Sequence, residues 1–483
     1  MSYLSVDFFF FIAIVLFFYY ILPNKYRKYI LLLASIFFYL YYSEICFLIL
    51  GFNILSTYLG GILIKKYSSK KKIIFSMVLI INIGIWFIIK EFNWGANFLN
   101  SIFTIVTIPT IKNLIVPLGI SYYTLQSIGY LVDVYNGQEP EKNLVNYGLF
   151  ISYFPAIVQG PISRYNEFKI EINKDKKFNY NQFISNLLLI IYGLIKKTII
   201  ADNIAILANY CFDNYLSLSG VILYVGAVCY AIQIYTDFSG CVDICRGVSG
   251  LFQINLKQNF DAPYFSKSIK EFWSRWHITL SSWLKDYIYI PLGGNRIGKV
   301  HKYINIIIVF LISGIWHGGS FIFWGLLHAA YEIGSELTET LREKFKNALG
   351  IEKNSTSDKI YRTIITFNLV VIAWIFFRAN NLEIALIYIH NMIRRTNFTL
   401  LLDGTIYNMG LNHNMLFALF VNILLVILVD YLHYKNKNGI RDNILSLHII
   451  IRWIIYFILI YDVILFARYG TKIPKSAFLY GGF

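Results

Sequence analysis

Long apolar runs, each parted from the next by a short basic segment, recur along the whole of this 483-residue chain. No other feature restricts the fold as much. Inside a hydrocarbon layer the backbone N–H and C=O groups must be satisfied within the protein, so only helices and closed barrels cross a bilayer. A barrel strand would alternate apolar and polar residues, whereas these runs are continuous, so the chain reads as an all-α polytopic membrane protein. Composition agrees. Only 14% of the residues are charged, against about a quarter in a soluble domain, too little to cover a water-facing surface of this size.

Hydropathy places candidate spans near residues 5–22, 29–43, 46–64 and 73–90, with further apolar stretches near 100–133, 145–161, 183–208 and 217–250. Spans resume near 302–316, 320–336, 361–378, 413–433 and 446–467. This gives roughly eleven to thirteen transmembrane or re-entrant helices. The stretch 255–300 is rich in Trp, Gly and charge and is too polar to cross lipid as a simple helix. Segment 343–360 reads as a hydrophilic connector. The chain is expected to be one membrane domain, 1–483, with N-terminal hairpins (1–100), a core (110–335) and C-terminal helices (360–470). The first run lacks the basic n-region and small-residue cleavage site of a signal peptide and reads as a retained helix.

The net charge is +16. Its lysines and arginines cluster beside apolar runs, at Lys25, Arg27 and Lys28 and again at Lys65, Lys66, Lys70, Lys71 and Lys72. This is the positive-inside bias of a protein among membrane lipids, not a nucleic-acid surface. The five cysteines (Cys46, Cys211, Cys229, Cys241, Cys245) lie in or beside apolar runs with neither CxxC nor metal-ligand spacing, so neither disulfides nor a metal site is expected.

Polar residues among apolar neighbours are the informative ones, because they are costly at membrane depth unless paired or lining a cavity. Three clusters stand out. Trp316-His317-Gly318-Gly319 follows the apolar run 306–315. An imidazole can take and give a proton near neutral pH, and the glycines leave room for a substrate; equally, such a histidine can bond a neighbouring helix. The stretch Glu271-Phe272-Trp273-Ser274-Arg275-Trp276-His277, continuing to Trp283, Asp286 and Tyr287, fits either an interfacial aromatic belt or a site in which Arg275 pairs with Glu271 or Asp286 and His277 faces a cavity. Tyr235-Thr236-Asp237-Phe238-Ser239-Gly240, with Asp243 beyond, reads as buried hydrogen bonding or a cavity wall rather than direct catalysis. The P-loop, dinucleotide-glycine, HExxH and GxSxG motifs are missing, which argues against a nucleotide-driven pump and a serine hydrolase.

Taken together, these clusters resemble the membrane-bound O-acyltransferase family, in its bacterial branch typified by alginate O-acetylation. The resemblance runs through Pro117-Leu118-Gly119, Tyr130-Leu131-Val132-Asp133, Phe154-Pro155, Gln159-Gly160-Pro161-Ile162, Asn259-Phe260, Pro263-Tyr264, Arg275-Trp276-His277, Pro291-Leu292-Gly293-Gly294-Asn295-Arg296, Trp316-His317-Gly318 and Trp374-Ile375-Phe376-Phe377-Arg378, to the aromatic C-terminus with Phe478, Tyr480 and Phe483. Each motif alone is weak; their order and spacing make the set specific. Thr236 and Cys241 depart from the aromatic residues expected there.

The resemblance implies helices around an acyl-transfer tunnel, with His317 as the main catalytic histidine and His277 assisting. Trp316, Gly318, Arg275, Glu271, Asp286, Asp237, Asn295 and Arg296 are then candidates for contact with substrate or tunnel. It implies acetyl-CoA or a related acyl thioester as donor, without a bound cofactor. An extracytoplasmic polysaccharide and a separate outward-facing acetyltransferase are the implied partners, at a bacterial cell membrane. The Pro-Leu-Gly-Gly-Asn-Arg run favours this branch over D-alanyl transfer to teichoic acid. A lipid or sugar transporter would be expected to show pseudo-symmetric halves and has no need of the Trp-His-Gly element.

Basic residues orient the chain with its N-terminus outside and the loops 23–28 and 65–72 inside, each Lys or Arg near the anionic leaflet being worth about 1 kcal/mol. A cysteine at Ser68, with the native cysteines removed, should therefore resist an impermeant thiol reagent added to intact cells. Efficient labelling would reverse the topology.

Overall fold

The computed structural model describes residues 1–103, 107–112, 114–379, 381–394, 396–398, 404–435 and 439–468. The C-terminal aromatics Phe478, Tyr480 and Phe483 lie outside the described residues. Among the described residues the regular structure is helical, and eight helices are long and apolar enough to cross a membrane. The chain divides into two compact units, residues Met1–Ile190 with Val242–Lys257 and residues Ile191–Cys241 with Gln258–Phe483.

The first unit begins with α1 (Val6–Ile21), α2 (Asn24–Tyr42), α3 (Glu44–Lys66) and α4 (Lys71–Lys90), where hydropathy expects four spans. Their ends follow local chemistry. The Ser5 hydroxyl accepts from the Phe8 N–H at 3.2 Å to start α1, Pro23 separates α1 from α2, and the Ser43 hydroxyl accepts from the Cys46 N–H to start α3. The apolar run 100–133 is not one helix. It is split into α5 (Phe92–Ile102) and α6 (Ile120–Tyr135), and Pro109 and Pro117 in the segment between them deny it helical hydrogen bonds. The run 145–161 shortens in the same way to α7 (Leu144–Ser152), with Pro155, Gly160 and Pro161 following; α8 (Tyr165–Asn173) closes the series. These breaks divide apolar runs that hydropathy alone reads as continuous.

Helix α6 is the core of this unit. It packs against α3 and α4 and buries all of Ile120 to Leu131. Its neighbours hold it with the two devices available where helix association gains little from the hydrophobic effect, small residues and polar pairs. The Asn53 amide donates to Asn82 Oδ1 at 2.9 Å and to Ser127 Oγ at 3.2 Å, and the Tyr147 hydroxyl donates to Thr57 at 2.7 Å. Gly61 admits the Tyr130 ring, which a Cβ there would meet at 2.8–3.2 Å.

The second unit starts within one long helix, Tyr180–Asp213, in which α9 (Tyr180–Leu194) passes through a π-helical stretch, Ile195–Ala201, into α10 (Asp202–Asp213). Helix α11 (Gly220–Leu251) follows, its last ten residues belonging to the first unit. The polar stretch 255–300 supplies only the short α12 (Ile269–Arg275) and α13 (Ile278–Leu284) with a π-helical turn after them. Then come α14 (Lys299–His317) and α15 (Ile322–Leu337), packed on one another, and α16 (Glu339–Ala348), which takes up the first part of the segment read as a connector. Helices α17 (Thr356–Arg378), α18 (Leu382–Arg394), α19 (His413–Lys435), α20 (Ile440–Ser446) and α21 (Ile449–Phe466) complete the unit. The exposed Ile454, Phe457, Ile458, Ile464 and Leu465 of α21 are side chains suited to lipid.

Gly119 begins α6 in the left-handed region (φ 71°), and a Cβ there would lie 1.8 Å from the Ile157 carbonyl oxygen. Gly119→Ala should therefore lower thermal stability in detergent by at least about 2 kcal/mol. Gly51→Ala, in α3 with open space around it, should be neutral or slightly stabilising. Equal effects of the two would show that the Gly119 turn does not constrain the fold.

Candidate active site

Two glycines bring α14 and α15 together. A Cβ on Gly325 would stand 2.4 Å from the Phe310 carbonyl oxygen, and one on Gly314 would stand 2.8 Å from that of Phe321. The helices thus meet backbone to backbone, an approach that larger residues forbid. Helix α14 ends at His317 because Gly318 takes φ 136°, ψ 138°, while its N–H still bonds to the Gly314 and Ile315 carbonyls. His317 is only 4% exposed. Its ring is walled by Trp316 at 4.7 Å, by Trp324 of α15 at 5.4 Å and perpendicular, and by Phe377 of α17 at 5.8 Å.

His277 comes from the hinge between α12 and α13. Its backbone is left-handed (φ 44°, ψ 53°), a conformation costly for a side chain with a Cβ and kept only where surroundings enforce it. Asn259 provides that enforcement. Its carbonyl accepts from the Ile278 N–H at 3.0 Å, and its side-chain oxygen accepts from the Thr279 N–H at 3.1 Å and the Thr279 hydroxyl at 2.6 Å. Two residues on, the Asp261 N–H donates to the Arg275 carbonyl at 3.0 Å. His277 is 1% exposed; its ring lies 4.8 Å from Phe238 and 6.2 Å from Trp316. The Trp316 indole therefore touches both imidazoles. Burial, and secondarily the nearby His317, hold the His277 imidazole well below its ordinary pKa, which favours its neutral form.

The remaining candidates separate. Arg275 is engaged within the hinge: its Nε donates to Glu271 Oε1 at 3.1 Å, and one Nη donates to the Asp261 side chain and carbonyl, each at 3.0 Å. Tyr434 stacks beneath the guanidinium at 4.8 Å. Of the two partners the sequence offers Arg275, Glu271 is within hydrogen-bond distance of it. Asp237 is buried and pairs with the Lys197 ammonium, which also reaches Asp202 at 2.9 Å. Asp286 lies exposed on the turn after α13, and Asn295 and Arg296 lie exposed on the glycine turn before α14. Asn305 fastens that turn by donating to the Leu292 and Gly294 carbonyls at 3.2 and 2.9 Å. His317, His277 and Trp316 are thus brought together with Gly318 at the helix end. Glu271 and Arg275 form the hinge that carries His277, and Asp286, Asn295 and Arg296 stand on the surface.

Sequence reasoning passes over Lys197 and the Trp324–His328 pair, and gives Trp374 no role beyond a family motif, while the fold makes all of them prominent. Lys197 carries a visible signal, a lysine pair inside an apolar run. Trp324 and His328 sit four residues apart on α15, a spacing that puts them on one face. Trp374 stacks on Trp324 at 5.9 Å and donates to the Tyr264 hydroxyl at 3.2 Å.

Comparison with known proteins shows the family. Residues 141–386 match the model of the membrane-bound O-acyltransferase family. The chain is 36% identical over 301 residues to the probable alginate O-acetylase AlgI of Pseudomonas syringae, covering 61% of this chain and 56% of that protein. It is 40% identical over 312 residues to a peptidoglycan O-acetyltransferase of Helicobacter pylori, covering 58% and 57%. It is 32% identical over 250 residues to a teichoic acid D-alanyltransferase of Bacillus subtilis, covering 48% and 62%. The matched parts thus span somewhat more than half the length of these curated relatives. With a family match that takes in the hinge of His277, the end of α14 and the aromatic wall around His317, the chain belongs to the membrane-bound O-acyltransferase family and is a multi-pass membrane protein.

Proposed function

We propose that the protein transfers acetyl groups from a cytoplasmic thioester, acetyl-CoA or a related donor, toward a polysaccharide on the outer side of a bacterial plasma membrane. The observation that carries this reading is the pair of buried histidines held against one tryptophan, His317 at a glycine-ended helix and His277 on a strained hinge. The relatives named as alginate and peptidoglycan O-acetylating proteins match at higher identity, 36% and 40%, than those named as D-alanyltransferases, 32% and 28%, which supports acetate as the acyl group.

The chemistry follows from the site. His317 accepts the proton of an acceptor hydroxyl as its oxygen attacks the thioester carbonyl. The C–O bond forms, the C–S bond breaks, and the thiolate leaves and recovers the proton from His317 as a free thiol. Charge develops on the carbonyl oxygen in between and is stabilised by donors fixed in a water-poor surrounding. His277 assists from the far contact of Trp316. The acceptor hydroxyl belongs to the polymer or to an outward-facing partner acetyltransferase. Arg275 and Glu271 support the hinge.

His317→Ala should lower acetyl transfer by a factor on the order of 10² to 10⁴ while the protein remains folded in the membrane. His277→Ala should cost less, on the order of tenfold. Near-normal turnover of the first variant removes His317 from the chemistry. The envelope of a deletion strain should lose ester-linked acetate; loss of ester-linked D-alanine instead would assign the teichoic acid reaction.

A further inference from the structure

Behind His317, on the face of α15 that meets α14, lie two buried N–H donors that the mechanism above does not use. Trp324 is 1% exposed and His328 is 0% exposed. Their rings stand 5.1 Å apart at 74°, and the Trp324 ring is the one that meets His317 edge-on at 5.4 Å. The protonation of His328 follows from its partner. Trp273 donates its indole N–H to His328 Nδ1 at 3.2 Å. An indole nitrogen can only donate, so Nδ1 is an acceptor and the imidazole is neutral with its hydrogen on Nε2. The rest of that ring's surroundings are aromatic, with Phe310 at 6.0 Å and Phe272 at 6.3 Å. Among the described residues, neither the Trp324 Nε1–H nor the His328 Nε2–H has a hydrogen-bond acceptor.

Buried donors are costly to leave unmet, and folded proteins keep few of them. Two on one helix face, one of them on the ring that walls His317, call for an oxygen that is supplied from outside the chain. We propose that Trp324 Nε1–H and His328 Nε2–H bind the carbonyl oxygen of the acyl donor, fixing the thioester beside His317. This assignment rests on the acyl-transfer reading and adds to it a carbonyl subsite on α15. Both donors are neutral, and their rings are locked by Trp273, Phe310 and Trp374, so the pair is ordered before the donor arrives.

The test uses the full-length protein in detergent and two non-transferable donors. One is the acetyl-CoA analogue with CH₂ in place of sulfur, a ketone that keeps the carbonyl. The other is S-ethyl-CoA, which lacks it. Wild-type protein should bind the ketone more tightly. Trp324→Phe and His328→Leu should each reduce that preference by about three- to tenfold, while affinity for S-ethyl-CoA stays within about twofold. His328→Gln, which keeps an N–H near Nε2, should restore much of it. S-ethyl-CoA binding also reports that each variant is folded.

The inference is overturned if wild type favours the ketone no more than the thioether, if the preference survives both substitutions (the donors then serving an internal water), or if both ligands weaken equally. Transfer from radiolabelled acetyl-CoA by wild type separates this from the parent reading. Transfer with an unchanged preference in the variants removes the subsite alone; neither transfer nor binding removes acyl transfer and the subsite together.

Discussion

Most of this structure answers to one rule: a polar group in an apolar layer must find a partner, in the chain or in what the chain binds. The backbone meets it by being helical. The side chains meet it in pairs and triads that tie distant segments together: Asn53 with Asn82 and Ser127, Lys197 with Asp202 and Asp237, Tyr147 with Thr57. Such contacts are specific in a way that apolar packing is not, because an amide or carboxylate displaced by one helical turn loses its partner outright. The Lys197 triad is the clearest instance. Two carboxylates and one ammonium, nearly enclosed, hold α10 and α11 by charges that would be prohibitive if any one were removed.

The histidine site follows a second constraint, close approach. Gly314 and Gly325 let α14 and α15 meet at the backbone, and from this contact Trp324 reaches His317. The hinge that carries His277 is built differently, from hydrogen bonds. Asn259 grips Ile278 and Thr279, while Arg275 is tied to Glu271 and Asp261. One histidine is placed by absence of side chains and the other by an excess of polar contacts, and Trp316 is where the two arrangements meet.

Much of this is legible in the residues. The four N-terminal helices, the polar character of 255–300 and the prominence of His317 and His277 all follow from local hydropathy and from polar residues in apolar runs. What local reading misses has a common cause. The run 100–133 is mostly apolar, but Pro109 and Pro117 lie where it breaks, and averaged hydropathy is blind to them. Asp237 is conspicuous in sequence, yet its partner Lys197 lies forty residues away, so the pair exists only in three dimensions. Trp324 and His328 look like an aromatic helix face. Their interest comes from acceptors that are missing among the described residues, and missing contacts leave no trace in a string of letters.

The π-helical stretch Ile195–Ala201 gives the long helix Tyr180–Asp213 an unusual property. A helix behaves as a screw, each residue advancing the side-chain phase by about 100°, and a wider turn inserts a phase slip at a fixed address. Lys197 sits inside the slip and Asp202 just after it, so their pairing depends on the thread being mis-cut there. Loss of one residue from this stretch would let the thread close regularly and leave α10 in phase, whereas loss of one from the α-helical stretches on either side would turn the residues beyond it by about 100°. Deletions of the same size in the loop before α11 would turn nothing. Chain length is therefore a free parameter in the loops, a tightly held setting in the α-helical stretches, and adjustable by one residue at this one place.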